Sequence, residues 1–376
     1  MSDGALEQQL NGAAAAGGRA AVIFGSVHGD GLRSRLAEIA RAAGMALCGA
    51  GCMGFANVSH GLRALGYTEP DPLPAGPVAL VTHSGSVFSA LLRGRRGFGF
   101  TLAVSSGQEI VTAAPSFLEY ALDLPDTGVL ALVLETIRDG DGLRRILGRA
   151  AEQDVPVVLL SVGSSAGGQA MVAAHSGALV GSDGSWEALA RAYGVHRVGD
   201  LAELADTVEL FAAGRRACMP SVAGSGIATV HDSELERAHV VDVADSVGIP
   251  FAQIGPPTVA RLDPGLTPGN PLDVWGTGAG PRELFGGALV ALAEDPAWQP
   301  RHSPSIWCPS WTATSPIRSP CWMLRDAPAS RSRCSAISAA PSTLAGPTGS
   351  ARAASRCSRA PGPDCGRCGT CSTTRG

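Results

Sequence analysis

With 376 residues, 45% of them hydrophobic, the chain is long enough for two or three domains, and its 49 glycines beside only 5% aromatic residues favour α/β layers joined by tight turns. The formal net charge of -4 argues against nucleic acid or an anionic membrane surface as the main partner. No apolar run approaches the ~20 residues that span a bilayer and no secretory signal opens the chain, so a cytoplasmic protein is expected.

The first 70 residues contain strand–helix units of a doubly wound parallel sheet. "RAAVIFGS" (19–26) is a predicted buried strand, residues 30–44 have helical spacing of their leucines, and "MALCGAGCMGFAN" (45–57) is a short strand running into a glycine-rich loop. A Rossmann-like domain normally begins with a strand and a phosphate-binding glycine turn, which do not precede these elements. Residues 1–70 are therefore predicted to be the C-terminal part of a Rossmann-like domain that is truncated at its N-terminus.

A proline-rich linker, "TEPDPLPAGP" (68–77), marks the next domain boundary. Strands and helices then alternate regularly, which predicts a flavodoxin-like domain over 77–213. Within it, "VALVTHSGSVFSALL" (78–92) has the pattern of a strand, a tight polar turn and a helix. "TLAVSSGQEI" (101–110) is a strand that breaks at its serines, and a strong apolar strand ends at Glu135.

A third α/β unit, predicted to be partial, occupies 221–297. It opens with a strand, a polar turn and a helix, continues through "GNPLDVWGTG" (269–278) as a loop, and ends in a helix over 281–295. A further strand is expected next, but the chain changes character from residue 298.

The segment 298–376 is rich in Ser, Arg, Pro, Cys and Trp without periodicity, and it holds seven of the 10 cysteines: Cys308, Cys321, Cys334, Cys357, Cys365, Cys368 and Cys371. The run "CGRCGTC" (365–371) mimics an iron–sulfur or zinc motif. The chain has no lysine, so GC-rich codons are expected in its gene. When such codons for this segment are read one base out of frame, however, they encode apolar residues at helical spacing. We therefore predict a frame-shifted, irregular and disordered tail, and no metal site.

Residues that could bind an anion lie in loops at the carboxyl ends of predicted strands, where open α/β sheets bind their ligands. These loops are Gly49–Cys52, His83–Ser86, Ser105–Gln108 and the segment after Glu135. Glycine and serine at a strand-to-helix turn expose amide groups to an anion, aided by the helix dipole. "MVAAHSGALVGSD" (171–183) adds a histidine among small residues, which leave room for a group to approach its ring.

Three segments resemble the α-subunit region of nucleoside-diphosphate-forming acyl-CoA synthetases, which are related to succinyl-CoA synthetase. "HSGALVGSD" (175–183) is similar to the phosphohistidine loop of that family, and "VTHSGSVFSALL" (81–92) is similar to the start of its ligase domain. "CGAGCMGF" (48–55) resembles its CoA-binding "GPNCxG" loop, with Ala50 in place of proline and Gly51 in place of asparagine. The resemblance covers about residues 5–297.

In that family an acyl-CoA and phosphate give an acyl phosphate and CoA, and the phosphoryl group then passes to a histidine and on to ADP at an ATP-grasp module. The resemblance implies that His175 is the phosphorylated residue and that Glu135 orients its ring, although a solvated acid at a strand end is an alternative for Glu135. It implies phosphate binding by Ser84, Gly85, Ser106, Gly107, Ser176 and Gly177, and CoA binding by Gly49, Gly51 and Cys52.

The same resemblance implies coenzyme A and a small carboxylic acid or its acyl-CoA as substrates, and ATP or ADP with Mg²⁺ on a partner ATP-grasp subunit or domain. No such module is recognised in this chain. Ser161 and Ser164 stand where the family usually carries lysine and arginine, a loss that weakens phosphate handling.

Two functions therefore stay open: an ADP-forming CoA ligase that is incomplete without its partner, and a catalytically inactive CoA-binding remnant or regulatory module. An unrelated NAD- or flavin-binding protein is disfavoured, because no GxGxxG follows a predicted strand. His28, His60, His83 and His196 are interpreted as structural, and Asp183 as the cap of a helix that begins near residue 185.

Overall fold

The computed structural model describes residues 3–28, 30–69, 72–176, 183–213, 226–275, 280–295, 306–308 and 321–323. These residues all lie in the first of two compact units of the chain, Met1–Ala329. The helices are α1 (Asp3–Ala15), α2 (Asp30–Ala42), α3 (Gly85–Arg93), α4 (Ala114–Asp123), α5 (Gly140–Glu152), α6 (Ala166–Ser176), α7 (Asp183–Tyr193), α8 (Leu201–Ala212), α9 (Glu234–Ser246), α10 (Pro256–Val259) and α11 (Pro281–Ala293). The strands are β1 (Ala20–Ile23), β2 (Ala46–Gly49), β3 (Gly54–Asn57), β4 (Leu62–Leu65), β5 (Ala75–Thr82), β6 (Phe100–Ser105), β7 (Val129–Leu134), β8 (Val157–Ser161), β9 (His196–Arg197), β10 (Ala228–His231), β11 (Leu272–Asp273), β12 (Ile306–Cys308) and β13 (Cys321–Met323).

The largest described sheet has seven strands in the order β4-β3-β6-β5-β7-β8-β9. The five strands from β6 to β9 are parallel, and β6 and β7 are buried along their whole length. Parallel strands of this kind need helices on both faces. One face is covered by α4, α5 and α7 and the other by α3 and α8. This arrangement confirms the predicted doubly wound α/β fold.

The predicted boundary near residue 70 does not coincide with the boundary between sheets. The hairpin β3–β4 lies within the predicted Rossmann-like segment, yet β3 pairs antiparallel with β6 and so extends the seven-stranded sheet. The N-terminal part retains α1, α2 and the parallel pair β1–β2, with its own core. The change of sheet falls in the glycine-rich stretch between Gly49 and Gly54, because the open edge of β6 offers β3 backbone partners.

A separate set of strands follows the seven-stranded sheet. The order is β11-β10-β12-β13, so that β11 stands where a loop is predicted, and β12 and β13 lie within the predicted irregular tail. Strand β12 pairs parallel with β10, which is the kind of strand expected after α11. The other residues of 298–376, including the CxxCxxC-like run, lie outside the described residues.

A buried histidine at the end of β10 is expected to make stability depend on pH. The His231 side chain is 1% exposed, its Nε2 lies 2.8 Å from Thr229 Oγ1, and burial together with Arg237 lowers its pKa from 6.5 to about 4. Below pH 6.5 the histidine becomes protonated in the unfolded chain, whereas in the folded protein it stays neutral down to about pH 4. Stability is thus present above pH 6.5 and lost as the pH falls towards 4, by about 3 kcal/mol.

The measurement is chemical unfolding of the unmodified chain and of His231→Gln at neutral pH and near pH 4. Glutamine does not titrate but can still bond to Thr229. We therefore expect the acid-induced loss in the variant to be smaller by the stated amount. Equal losses in the two proteins would show that His231 does not stay neutral in the fold.

Candidate functional site

Three groups of predicted site residues lie at adjacent carboxyl ends of the sheet. Ser84 follows β5, Ser106 follows β6 and Glu135 follows β7, and β5 lies between the other two strands. Neighbouring strands are about 4.8 Å apart, so these loops share one edge of the sheet. The next strand, β8, ends there at Ser161.

Helix α3 begins at this edge with a side-chain cap. Ser84 Oγ accepts from the Val87 amide at 3.3 Å, and the Ser84 amide donates to Thr82 Oγ1 at 3.0 Å. The amide groups of Gly85 and Ser86 come first in the helix and have no partner inside it. They and the positive end of the helix dipole can bind an anion, as the sequence predicts for Ser84 and Gly85.

The predicted CoA-binding loop packs directly on the predicted phosphate-binding turn. Residues 49–53 are here called the glycine loop. Two of its carbonyl oxygens accept hydrogen bonds from the segment after β6: Gln108 N donates to Ala50 O at 2.7 Å and Ile110 N donates to Gly49 O at 3.0 Å. Gly107 has a φ of +59° and lies so close that a Cβ would be 2.2 Å from Ala50 O. The structure therefore brings together Gly49, Gly51 and Cys52 with Ser106 and Gly107.

A buried histidine joins the loops after β5, β6 and β7. His83 Nδ1 accepts from the Glu135 amide at 3.1 Å, so we assign the ring proton to Nε2, which lies 3.1 Å from Glu109 Oε1. Ser106 Oγ donates to the same carboxylate oxygen at 2.9 Å. The His83 and Glu109 side chains are 5% and 1% exposed. His83 thus bonds to the backbone of Glu135 and to the carboxylate of Glu109, a residue that the sequence analysis does not single out.

Two arginines near this edge escaped the sequence analysis. Arg33 Nη2 donates to Gln108 O at 2.5 Å, which places a cation on the segment after β6. Arg138 lies three residues beyond Glu135. Burial and the charge of Arg33 lower the pKa of Arg138, while the negative charges of Glu109 and Glu135 raise it by less. Arginine stays charged at neutral pH, so both side chains can offset the charge of a phosphate.

A third cation reaches the end of β8. Arg197 Nη2 donates to Ser161 Oγ at 3.0 Å and to Asp183 Oδ1 at 2.6 Å, and Nη1 donates to Glu187 at 3.1 Å. The guanidinium beside Ser161 is thus paired with two carboxylates. Asp183 is the first residue of α7, so its predicted role as the cap of a helix starting near residue 185 is wrong.

The segment leading to His175 forms helix α6, so that the loop expected over 175–183 begins inside the end of that helix. Ser165 Oγ accepts from the Gly168 amide at 3.1 Å and caps α6, and His175 is the second-last residue of that helix. Among the described side chains of α6, only Val172 is buried, so few contacts hold the helix in place. The side chains of His175 and Ser176, and Gly177 as a whole, lie outside the described residues.

Residues 75–211 match the model of the succinyl-CoA ligase like flavodoxin domain. An ADP-forming acetate–CoA ligase of Archaeoglobus fulgidus is 28% identical over 275 residues, which are 72% of this chain and 38% of that protein. The α-subunit of ADP-forming acetate–CoA ligase II of Pyrococcus furiosus is 26% identical over 286 residues, 73% of this chain and 59% of the subunit. These matches confirm the resemblance and show that the relatives are CoA ligases.

A solved structure shares the fold. It is a dinucleotide-forming acetyl-coenzyme A synthetase of Candidatus Korarchaeum cryptofilum in complex with phosphate and ADP, with a TM-score of 0.68 and 20% identity over 78% of this chain and 64% of that one. The chain spans less than half of the length of the Archaeoglobus fulgidus relative.

Proposed function

We propose that this chain, built around a succinyl-CoA-ligase-like flavodoxin domain, is the acyl-transfer part of an ADP-forming acyl-CoA synthetase. The overall reaction converts acyl-CoA, phosphate and ADP into a carboxylic acid, CoA and ATP. The observation that carries the proposal is the packing of the glycine loop on the turn at Gly107, beside Ser84 and Glu135. A CoA thioester held by the glycine loop would end next to a phosphate bound at that turn.

The first step is attack of a phosphate oxygen on the thioester carbonyl. The C–S bond breaks, the thiol of CoA leaves, and an acyl phosphate forms. The amides of Gly85 and Gly107, the Ser84 hydroxyl and the N-terminus of α3 hold the phosphate, while Arg33 and Arg138 offset its charge. Because the protein holds the acyl-CoA and the phosphate next to each other in one orientation, their reaction becomes effectively unimolecular.

The second step moves the phosphoryl group to the protein. A ring nitrogen of His175 attacks phosphorus and the carboxylate leaves, so the imidazole gains positive charge. Glu135 would stabilise that charge and fix the ring tautomer. The sparse packing of α6 lowers the cost of moving His175 from one centre to another.

The last step needs a component outside this chain. We propose a partner ATP-grasp subunit or domain that carries ADP with Mg²⁺, by analogy with the separate α-subunit of the Pyrococcus furiosus relative. The proposed substrate is a small carboxylic acid or its acyl-CoA, a proposal supported by relatives that are named acetate–CoA ligases.

The first half-reaction can be tested without a partner. The purified chain is mixed with acetyl-CoA and radioactive inorganic phosphate, and the protein is analysed for a phosphate that is stable in base and lost in acid, as phosphohistidine is. We expect up to one such phosphate per chain and release of an equal amount of CoA. ATP should form from the labelled protein only after an ATP-grasp subunit and ADP are added.

The runner-up is a CoA-binding remnant or regulatory module of the same family. Its support is the presence of Ser161 and Ser164 where the family carries cations. It predicts that CoA binds, as measured by calorimetry, while no acid-labile phosphate appears even with an ATP-grasp subunit and ATP. That pair of results would replace the ligase proposal.

A further inference from the structure

One buried pair of side chains ties three loops of the candidate site together. His83 follows β5, and Glu109 lies in the segment after β6. The two side chains are 5% and 1% exposed, and His83 Nε2 lies 3.1 Å from Glu109 Oε1. On the other side of the ring, His83 Nδ1 accepts from the Glu135 amide. A single imidazole thus connects the loops that follow β5, β6 and β7.

Glu109 is held in a backbone conformation that glutamate seldom adopts. Its φ is +49°, in the left-handed region, and its carboxylate is buried. Both features cost free energy, because a residue with a Cβ is strained at such a φ and a buried charge needs partners. Two donors, His83 Nε2 and Ser106 Oγ at 2.9 Å, bond to the same oxygen of Glu109. Backbone strain of this kind persists where the surrounding structure holds a residue in place, and it is concentrated at functional sites.

The two bonds of the His83 ring depend on each other. A neutral imidazole has one donor and one acceptor nitrogen, so a proton on Nε2 leaves Nδ1 as the acceptor. By accepting from Nε2, Glu109 keeps the ring in the tautomer that can accept from the Glu135 amide. The orientation of the ring then fixes the backbone from which the Glu135 side chain extends.

We propose that His83 is a positioning residue for the transfer of the phosphoryl group to His175, and that Glu109 orients its ring. His83 acts through Glu135, whose carboxylate stabilises the charge that His175 gains in that step. The inference therefore rests on the proposed ligase function. A displacement of about 1 Å can slow a reaction on the order of 100-fold, so an anchor on the Glu135 backbone affects the rate of the step.

Two amide variants separate the two hydrogen bonds of the ring. Oδ1 of asparagine lies the same number of bonds from Cα as Nδ1 of histidine, and Nε2 of glutamine the same number as Nε2 of histidine. His83→Asn therefore keeps an acceptor for the Glu135 amide, while His83→Gln keeps a donor for Glu109. Both side chains are polar, uncharged and able to make one of the two buried bonds, so each variant is the control for the other.

The assay is labelling of the chain from acetyl-CoA and radioactive phosphate, with CoA release measured in the same samples. We expect His83→Gln to slow labelling by roughly 10- to 100-fold and to leave the rate of CoA release unchanged, because only the second step uses Glu135. His83→Asn should be labelled within about threefold of the unmodified rate. In a Glu135→Gln background, His83→Gln should slow labelling by no more than about a further twofold, because the carboxylate that it positions is already lost.

The inference is overturned if the two His83 variants slow labelling equally, if CoA release slows together with labelling, or if the effects of His83→Gln and Glu135→Gln multiply. In those cases labelling of the unmodified chain still supports the ligase function, and His83 is only structural. An unmodified chain that acquires no label would overturn the ligase function and this inference together. Nitrogen NMR of the unmodified chain needs no variant to fold: a His83 ring protonated at Nδ1 could not accept from the Glu135 amide and would also overturn the inference.

Discussion

Replacing His175 by alanine is expected to abolish the acid-labile phosphate that the chain acquires from acetyl-CoA and inorganic phosphate. The alanine side chain has no nitrogen to carry a phosphoryl group. The acyl phosphate should still form, because the first step uses the glycine loop and the turn at Gly107 but not His175. Label on the protein should therefore disappear while CoA is still released.

Glu135→Gln is expected to slow the labelling of the protein but not to abolish it. The Glu135 amide that donates to His83 is retained, so the loop keeps its backbone anchor while the carboxylate is lost. Removing one preorganised electrostatic partner costs roughly 2–4 kcal/mol of barrier, which slows labelling by roughly 30- to 1000-fold. Labelling that persists in His175→Ala would end the phosphohistidine proposal, and an unchanged rate in Glu135→Gln would remove Glu135 from it.

Gly107→Ala is expected to separate the glycine loop from the site and to destabilise the fold. A Cβ at this position would lie 2.2 Å from Ala50 O and 2.9 Å from Gly51 O, and both are backbone atoms that cannot rotate away. The φ of +59° adds the strain of a left-handed residue. We expect a loss of about 3 kcal/mol or more in the free energy of unfolding, together with loss of CoA affinity.

Gly44→Ala is the matched control for the strain alone. Gly44 has a nearly identical φ of +61°, but a Cβ there would have no atom within 4 Å. Its cost should be about 1 kcal/mol, with CoA binding unchanged. Urea unfolding and calorimetry on both variants measure the difference, and equal effects would show that the contact between the two loops is unimportant.

The local pattern of the chain was sufficient to predict the central elements of the fold. Strand β7 is a continuous apolar run, and β5 and β6 have apolar centres. Such a pattern is typical of strands covered on both faces of a sheet, and the strand ends are marked by serine, glycine and a carboxylate. The rule that ligands bind at carboxyl ends then placed Ser84, Ser106 and Glu135 on one edge. The resemblance of the histidine segment added the chemistry.

Long-range contacts decided what those patterns left open. The hairpin β3–β4 has the same local sequence whichever sheet it joins, and its backbone bonds to β6 made the choice. His83 and Glu109 are 26 residues apart, so no local sequence pattern predicts that they form a hydrogen bond. Arg197 likewise bonds to Ser161 from 36 positions away, a contact that no local spacing predicts.

In helix α6, which ends beside the candidate nucleophile His175, the sequence again predicts some features and not others. Small residues around His175 predict few packing contacts, because alanine and glycine bury little apolar surface. They did not indicate backbone conformation, since alanine also favours a helix once Ser165 caps its first turn. The sequence thus determined which chemical groups are available, and the tertiary structure decided which of them meet, because a contact between distant residues depends on how the whole chain packs.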